Sequence, residues 1–462
     1  MMPHDPHAMT PELALRLVRE AESMNRDGIA RLQRERLRTL LAYARTHSPL
    51  LAEKYRDLPA QPELSEIPPL LRSEAASRFD DWVCDREISS RGVKAFLATP
   101  DNLTRDYLGR YRVLTTSGST DVPLIMVRDD RHNLVNGALM QSRLWGGSKL
   151  GKLERLRQPW LRACAVTTGG GYHSSYLSFL RMQQAYEKKG LGDRIAFFSI
   201  DTPLPRMVEG LNALQPEIIG AYPSTLQILA RARQAGQLVV SPLALFSSAE
   251  YLSPEVMEML ETTFQCPVMD NYCSTEAGEV SMLCSANRMH VNSDWIIVEP
   301  VDADNRPARE GFSDGVLITN LANLVQPVIR YRISDRAILR HEACPCGSPF
   351  PSLEIEGRKE DILEFAGEEG PFLVAPPVLM TSAMHVTGCL TGQFIQRSPT
   401  DLEVRCESLD NADKSAVTAE LLTRVRGIFA KNHASNVRVY GSDEPVIRGK
   451  SGKLRALLKD FS

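Results

Sequence analysis

TTSGSTDVP, Thr115 to Pro123, gathers hydroxyl side chains around Gly118, follows the apolar residues Tyr111, Val113 and Leu114, and closes on Pro123. Such a loop leaves backbone N–H groups to donate outward and adds hydroxyl donors, a composition suited to a polyphosphate. A polar surface turn has the same composition. What decides between them lies elsewhere in the chain.

At 462 residues the chain exceeds what one hydrophobic core usually supports, so two or three domains are expected. A hydrophobic fraction of 43% is that of an ordinary globular protein, and no apolar run reaches the length of a membrane helix. The 54 basic and 57 acidic residues leave a formal charge of −3, which argues against a dedicated nucleic-acid or anionic-membrane surface. MMPHDPHAMTPE at the N-terminus has no basic segment followed by an apolar run, so no secretory signal is expected. Nine cysteines, an odd number, fit a reducing cytoplasm better than a disulfide framework.

From about Thr10 to Tyr55, apolar residues such as Leu13, Leu17, Ile29, Leu37, Leu40 and Ala44 recur at helical spacing among Arg and Glu. Pro59, Pro62, Pro68 and Pro69 then predict a turn-rich connection, which closes a helical start over residues 1–70. The middle of the chain alternates strands with helices. RIAFFSI, PEIIGAY, LALFSSA and CPVMDNY read as short strands; Ser224 is expected to cap the helix TLQILARARQAG, and PEVMEMLETTF follows as another helix. This alternation implies a layered α/β domain that places ligands beyond the carboxyl ends of its strands. After Asp361 the pattern becomes α+β: FIQRSPTDLEVRCESL reads as a hairpin, KSAVTAELLTRVRGIFAKN as one amphipathic helix and NVRVYG as a strand. GRKED, Gly357 to Asp361, is the expected hinge. The expected division is therefore 1–359 and 360–462.

Further motifs follow the loop in order. DNYCSTEAG, Asp270 to Gly278, is expected to end a strand and place Tyr272, Thr275 and Glu276 on a turn. An aromatic at a strand end can stack on a base, and a carboxylate beside a phosphate site can hold Mg²⁺; a turn with a structural tyrosine has the same pattern. VIRYRISD runs from a strand to Asp335, which can accept both hydroxyls of a ribose or simply cap a turn. RGKSGKLRAL places Lys453 in a glycine-containing loop, where a lysine is otherwise a solvated side chain.

In this order and spacing the segments resemble the adenylate-forming superfamily of acyl-CoA synthetases, adenylation domains and luciferases. The helical start, RYRISD and CPCGSPFPSLEIEGRKEDIL narrow the likeness to the phenylacetate–CoA ligase and CapK-like branch. The resemblance implies an α/β fold: a large multi-subdomain N-terminal adenylating domain and a small mobile α+β C-terminal domain. It implies a ligase that spends ATP, with Mg²⁺, to convert a small carboxylic acid (aryl or arylacetic) into an acyl adenylate. A thiol, either coenzyme A or the phosphopantetheine of a carrier protein, then displaces AMP. No nucleic acid or membrane partner is implied, and a homodimer is compatible with the branch.

Laid on matching positions, the resemblance gives Thr116, Ser117, Gly118, Ser119 and Thr120 to the ATP β- and γ-phosphates. Tyr272 stacks on adenine beside Ser248, Ala249 and Glu250. Thr275 contacts the α-phosphate, Glu276 the Mg²⁺ and Asp335 the ribose, with Arg358 on the ribose–phosphate side of the hinge. Glu360 takes the hinge position, and Lys453 bridges the substrate carboxylate and the α-phosphate. Tyr222, Pro223 and Ser224, with the TTGGGYHSSY loop around His173, belong to the acid pocket. No covalent nucleophile is required, and Cys273 reads as a steric variant where the family more often has glycine.

The loop departs from the family's pattern. Asp121 stands where glycine is usual and no lysine occurs within the loop. That charge pattern disfavours a triphosphate unless Asp121 points away or helps bind Mg²⁺. A basic residue from elsewhere can compensate, but the sequence does not identify it. Two further patterns stay open. Cys344 and Cys346, with Cys284 and His290, would complete a tetrahedral structural zinc site of a kind found in CapK-like relatives. C-x-C is tighter than the common C-x-x-C, however, His341 is a rival ligand, and two buried thiols in a turn are the plainer outcome. The acyl acceptor can equally be an amine or a hydroxyl, and the altered loop also suits a nucleotide-binding relative without catalysis.

Overall fold

A computed structural model describes residues 9–116, 124–152, 160–200, 202–249, 252, 254–308, 311, 313–355, 363–374, 378–379, 382–383, 386–408, 412–447 and 457–461. The chain divides into two compact units, one of residues 1–116, 124–159 and 269–358, the other of residues 117–123, 160–268 and 359–462.

The first unit opens with the predicted helices. Pro11–Glu22 begins with proline at its first position, and the Thr10 hydroxyl accepts from Leu13 N–H at 3.2 Å. Arg26–His47 is capped by Asn25, whose side chain accepts from Gly28 N–H at 2.9 Å. The second helix is fastened by a buried cation. Arg36 lies 3.4 Å above the ring of Trp295 and donates to the Asp294 carbonyl at 2.5 Å. The Asp294 carboxylate, fully buried, takes two hydrogen bonds from Arg143 at 2.8 and 3.0 Å. Burial lowers the Arg36 guanidinium to about 10 while Asp294 pulls it back up, so it stays charged at neutral pH.

Two antiparallel strands, Arg112–Thr115 and Ile125–Arg128, pair from Arg112↔Arg128 to Thr115↔Ile125. Beyond the last pair, Thr116 N–H donates to the Leu124 carbonyl (3.0 Å) and Leu124 N–H donates to Thr116 Oγ1 (2.9 Å). The two ends of the hydroxyl-rich loop are thereby held together. The rest of the unit is antiparallel. Ile296–Val301, Gly315–Asn320 and Tyr331–Ile333 form one sheet, and the hairpin Gly278–Leu283/Met289–Val291 continues through Ser352–Ile355 to Ala337–Arg340. Ala277, Val280, Val291, Ile296, Val298, Val316, Ile318, Ala337 and Leu353 pack as its core. At about 1.5–3 kcal/mol for each large side chain removed from water, this cluster is what holds the functional turns in place.

The second unit has the expected parallel strands. Ala244–Ser248, Ile218–Ala221, Ala163–Thr167 and Ile195–Ser199 lie side by side in that order, with helices Ser174–Glu187, Leu204–Leu214, Pro223–Gln234 and Pro254–Phe264 in the connections. The helix after Ile218–Ala221 begins two residues earlier than its sequence suggests. Tyr222, in extended backbone, is the cap and Pro223 the first helical residue, because proline's fixed φ suits that position and leaves no donor unsatisfied. Ser224 therefore lies inside the helix. Towards the C-terminus Arg438–Gly441, Asp401–Ser408, Cys389–Ser398 and Leu457–Lys459 form a four-stranded sheet with the helix Lys414–Lys431, around Phe365, Phe394, Leu421, Val425 and Phe429. The whole is a mixed α/β fold of several subdomains. No helix among the described residues is long and apolar enough to cross a membrane.

Candidate active site and metal centre

The site in the first unit is built on a hairpin. Val268–Ser274 and Gly278–Leu283 are antiparallel, with a register shift between Tyr272 and Cys273 of the kind that re-aims side chains. Tyr272 thus sits within the strand, not on the turn beyond it, because the ladder runs on to Ser274↔Gly278. The turn is fixed from both sides. Ser274 Oγ accepts from Ala277 N–H at 3.0 Å, and Arg128 donates to the carbonyls of Thr275 (2.8 Å) and Ser274 (3.3 Å). Asn320 donates to the Ala277 carbonyl at 2.5 Å and, with Asn136, flanks the buried ring of His132.

Gly278 closes the turn at φ +79°, and a Cβ there would collide with Asn136 Nδ2. Gly278→Ala is therefore expected to cost about 1–3 kcal/mol through backbone strain and displacement of Asn136. An earlier chemical-denaturation transition checks this, and an unchanged transition would show that the turn relaxes freely.

Tyr272 donates its hydroxyl proton to Asp335 Oδ2 at 2.7 Å. Burial, then the charge of Asp335, hold that phenol well above its usual range, so it stays a donor at any physiological pH. Glu276 is 12% exposed at its side chain, and its Oε1 lies 4.0 Å from Arg72 Nη1. Burial raises its carboxyl and Asp335 adds to that, against hydrogen bonding from its own backbone and the charges of Arg72 and Arg128. Glu276 and Tyr272 are deeply surrounded yet keep a solvent-accessible edge. Arg72 also donates to Thr116 Oγ1 at 3.3 Å, at the base of the hydroxyl-rich loop. Thr116, Thr275, Glu276, Tyr272 and Asp335 are thereby linked through side chains and turns of one unit.

Burial and then Glu279 push the Cys273 thiol far above the usual range, a setting that disfavours the thiolate. Arg72, Arg128 and Asn320 escape a reading by motif. Each stands in an apolar or proline-rich stretch with no local pattern, and acts through partners remote in sequence.

In the second unit Ser248 ends the strand Ala244–Ser248, and Ala249 follows at φ +69°, a strained value for a residue with a Cβ. The Tyr222 hydroxyl donates to Thr168 Oγ1 (3.2 Å) and accepts from Thr168 N–H (3.3 Å). This bridges the carboxyl ends of two neighbouring parallel strands, at the root of the glycine-rich loop that leads to His173. His173 stands at the cap position of helix Ser174–Glu187 without a side-chain capping bond. Ser117, Gly118, Ser119, Thr120, Asp121, Glu250, Arg358, Glu360 and Lys453 lie outside the described residues.

The second cluster joins two hairpins. Cys284 follows Gly278–Leu283 and His290 lies in Met289–Val291; Cys344 and Cys346 stand between Ala337–Arg340 and Ser352–Ile355. Their ligand atoms all fall within 4.8 Å of one another. Cys284 Sγ and Cys344 Sγ are 3.7 Å apart, and Cys346 Sγ is 3.4 Å from His290 Nε2. Zn–S bonds of about 2.3 Å and a Zn–N bond of about 2.0–2.1 Å at tetrahedral angles require separations of about 3.8 and 3.6 Å. The donor set fits. His290 Nδ1 donates to the Phe350 carbonyl at 2.8 Å, which leaves Nε2 with its lone pair toward the thiols. N–H groups of Ala286 and Ser348 donate to Cys284 Sγ and Cys346 Sγ. The rival His341 is exposed and outside the group. The cluster joins the loop after Gly278–Leu283 to the turn after Ala337–Arg340, one strand beyond Asp335.

No family model matches the chain. Protein CapK of Staphylococcus aureus is 24% identical over 231 residues, 49% of this chain and 49% of CapK. The phenylacetate-coenzyme A ligase of Thermus thermophilus is 29% identical over 174 residues, 35% of this chain and 38% of the ligase. The chain thus matches about half the length of the first curated relative and less of the second. Among solved structures, 2-hydroxyisobutyryl-CoA ligase in complex with 2-HIB-AMP and CoA in the thioesterification state superposes with a TM-score of 0.58 at 19% identity. That match covers 96% of this chain and 91% of the ligase. Its open conformation gives 0.52 at 18%, over 92% and 90%. At this identity the likeness shows a shared fold.

Proposed function

From its place in the adenylate-forming superfamily, on the phenylacetate–CoA ligase and CapK-like branch, we propose that this chain activates a carboxylic acid with ATP and passes the acyl group to a thiol. The acid is aryl or arylacetic, and the thiol is coenzyme A or a carrier-bound phosphopantetheine. The observation that carries the reading is the Tyr272–Asp335 hydrogen bond beside Glu276. It joins a base-stacking ring, a ribose acceptor and a metal-binding carboxylate, whose types suit a nucleoside triphosphate.

In this reading the Tyr272 ring face takes adenine, its hydroxyl keeping Asp335 oriented toward the ribose. Thr275 binds the α-phosphate through the turn that Arg128 holds. Glu276 holds Mg²⁺, which supplies charge neutralisation at the phosphates. Thr116, Ser117, Gly118, Ser119 and Thr120 receive the β- and γ-phosphates; Ser248, Ala249 and Glu250 border adenine, and Arg358 the ribose. Tyr222, Pro223 and His173 belong to the acid pocket. The substrate carboxylate attacks the α-phosphorus, the bond to the β-phosphate oxygen breaks, and pyrophosphate leaves with that electron pair. The 360–462 domain then turns about Glu360 and withdraws Lys453, and the thiol displaces AMP. Cys284, His290, Cys344 and Cys346 hold a structural Zn²⁺. ATP consumption and an odd number of cysteines suit the cytoplasm.

Acid-dependent exchange of labelled pyrophosphate into ATP tests the reading across a panel of aryl, arylacetic and aliphatic acids. Exchange with at least one acid is expected, followed by AMP release on adding coenzyme A or a pantetheinylated carrier. No exchange with any acid would overturn it, and AMP release with amines alone would move the acceptor away from thiols.

A further inference from the structure

The hydroxyl-rich loop carries Asp121 and no lysine, so a triphosphate bound there needs its cation from another segment. Arg72 is placed to supply it. It opens the short helix Arg72–Ser77, directly after a segment pinned to the strand Tyr331–Ile333. Leu70 N–H donates to the Arg330 carbonyl and Arg332 N–H to the Leu70 carbonyl, both at 3.0 Å. The backbone that carries Arg72 is therefore held by a sheet, not by a loose loop.

From this anchor the guanidinium reaches Thr116 and Glu276. It donates to Thr116 Oγ1 at 3.3 Å, where the loop's ends meet, and stands 4.0 Å from the carboxylate assigned to Mg²⁺, Glu276. Its side chain is 31% exposed, so it is partly desolvated but open to a ligand. A planar guanidinium can serve a hydroxyl, a carboxylate and a phosphate together, whereas a lysine supplies a single point charge.

Resting on the adenylation reading above, we infer that Arg72 is the cation that binds the β- and γ-phosphates of ATP and steadies pyrophosphate as it leaves. As the acyl–oxygen bond to the α-phosphorus forms, the bond to the bridging oxygen breaks and negative charge collects on pyrophosphate. Arg72, 4.0 Å from Glu276, faces that charge. The rival role is local: neutralising Glu276 and fixing Thr116, which would affect every nucleotide alike.

The two roles separate in nucleotide binding. Full-length Arg72→Ala and Arg72→Lys are compared with the wild type for binding of ATP and AMP by calorimetry, for pyrophosphate exchange, and for thiolysis of supplied acyl adenylate. Arg72→Ala is expected to weaken ATP and pyrophosphate binding by ~10-fold or more. AMP affinity and thiolysis stay within about 2-fold, since neither involves the outer phosphates. Arg72→Lys should recover part of the loss, which a misfolded variant would not. Equal losses for ATP and AMP, or unchanged ATP binding, would overturn the inference. A wild type that binds ATP but exchanges with no acid would sink the adenylation reading alone, with the ATP–AMP comparison still deciding Arg72.

Discussion

Replacing Lys453 by alanine is expected to slow acyl-adenylate formation by ~100-fold or more while leaving thiolysis of supplied adenylate nearly intact. The magnitude follows from charge. Adenylation brings a substrate carboxylate against an α-phosphate, and two unit charges about 4 Å apart repel by about 4 kcal/mol at an effective dielectric near 20. An ammonium between them removes much of that repulsion and strengthens as charge develops in the transition state. Losing about 2.7 kcal/mol of it is the 100-fold effect. A few residues further along the sequence, Leu457–Lys459 pairs with Cys389–Ser398 through Phe394↔Leu457. In a domain-alternating enzyme Lys453 leaves before the thiol arrives, which is why the second half-reaction is spared. Rapid-quench measurement of each half-reaction decides the matter. Equal loss in both would count against the rotating domain, and a full rate of adenylation would remove Lys453 from the chemistry.

What is legible in the sequence, and what is concealed, follows from the range of the interactions. Strands and helices from Ala163 to Phe264 can be read because apolar periodicity and proline placement are local signals. The start of the helix at Pro223 shows the usual margin: serine is the better cap by type, yet proline in the preceding position fixes the backbone first. The polar ending of its motif predicts a turn at Tyr272. Antiparallel pairing with Gly278–Leu283 extends the strand past it, a consequence of partners downstream. The Tyr272–Asp335 bond spans 63 positions, and only the likeness to a family puts the two residues in one site beforehand. Arg72 has no such help. Its meaning comes wholly from tertiary contacts with Thr116 and Glu276, and its neighbours Pro69, Leu70 and Leu71 announce nothing. The histidine of the metal cluster is undecided in the sequence for a similar reason. His290 and His341 are both near the cysteines along the chain, and the pairing Ser352↔His290 is what turns one of them inward.

That cluster gives the largest expected effect on stability. Cys344→Ser should leave the purified protein with less than about 0.1 equivalent of zinc where the wild type holds close to one. The cost follows from what the metal joins. Cys284 and His290 come from one hairpin, Cys344 and Cys346 from another, and backbone pairing between the hairpins is slight, at Ser352↔His290. Structural zinc binds with apparent free energies of about 10–16 kcal/mol in small domains, so losing even about 3–5 kcal/mol here lowers the unfolding temperature by roughly 10 °C. Without a cation the thiols are a poor core: burial, with Cys344 and Cys284 beside it, pushes Cys346 up to about 12. Among the described residues the sulfurs have only one another, His290 and the N–H groups of Ala286 and Ser348 as polar partners. Packing alone predicts otherwise. If the thiols merely filled space, a chelator would leave the wild type unchanged and serine would cost little. If they hold zinc, chelation reproduces the mutant's lower transition and added zinc restores it. His341→Ala serves as the control, because His341 is exposed and stands apart from the four ligands. Retention of zinc in that variant and its loss in Cys344→Ser would fix the ligand set. A wild type purified from zinc-replete medium with no bound metal, and indifferent to chelator, would refute it.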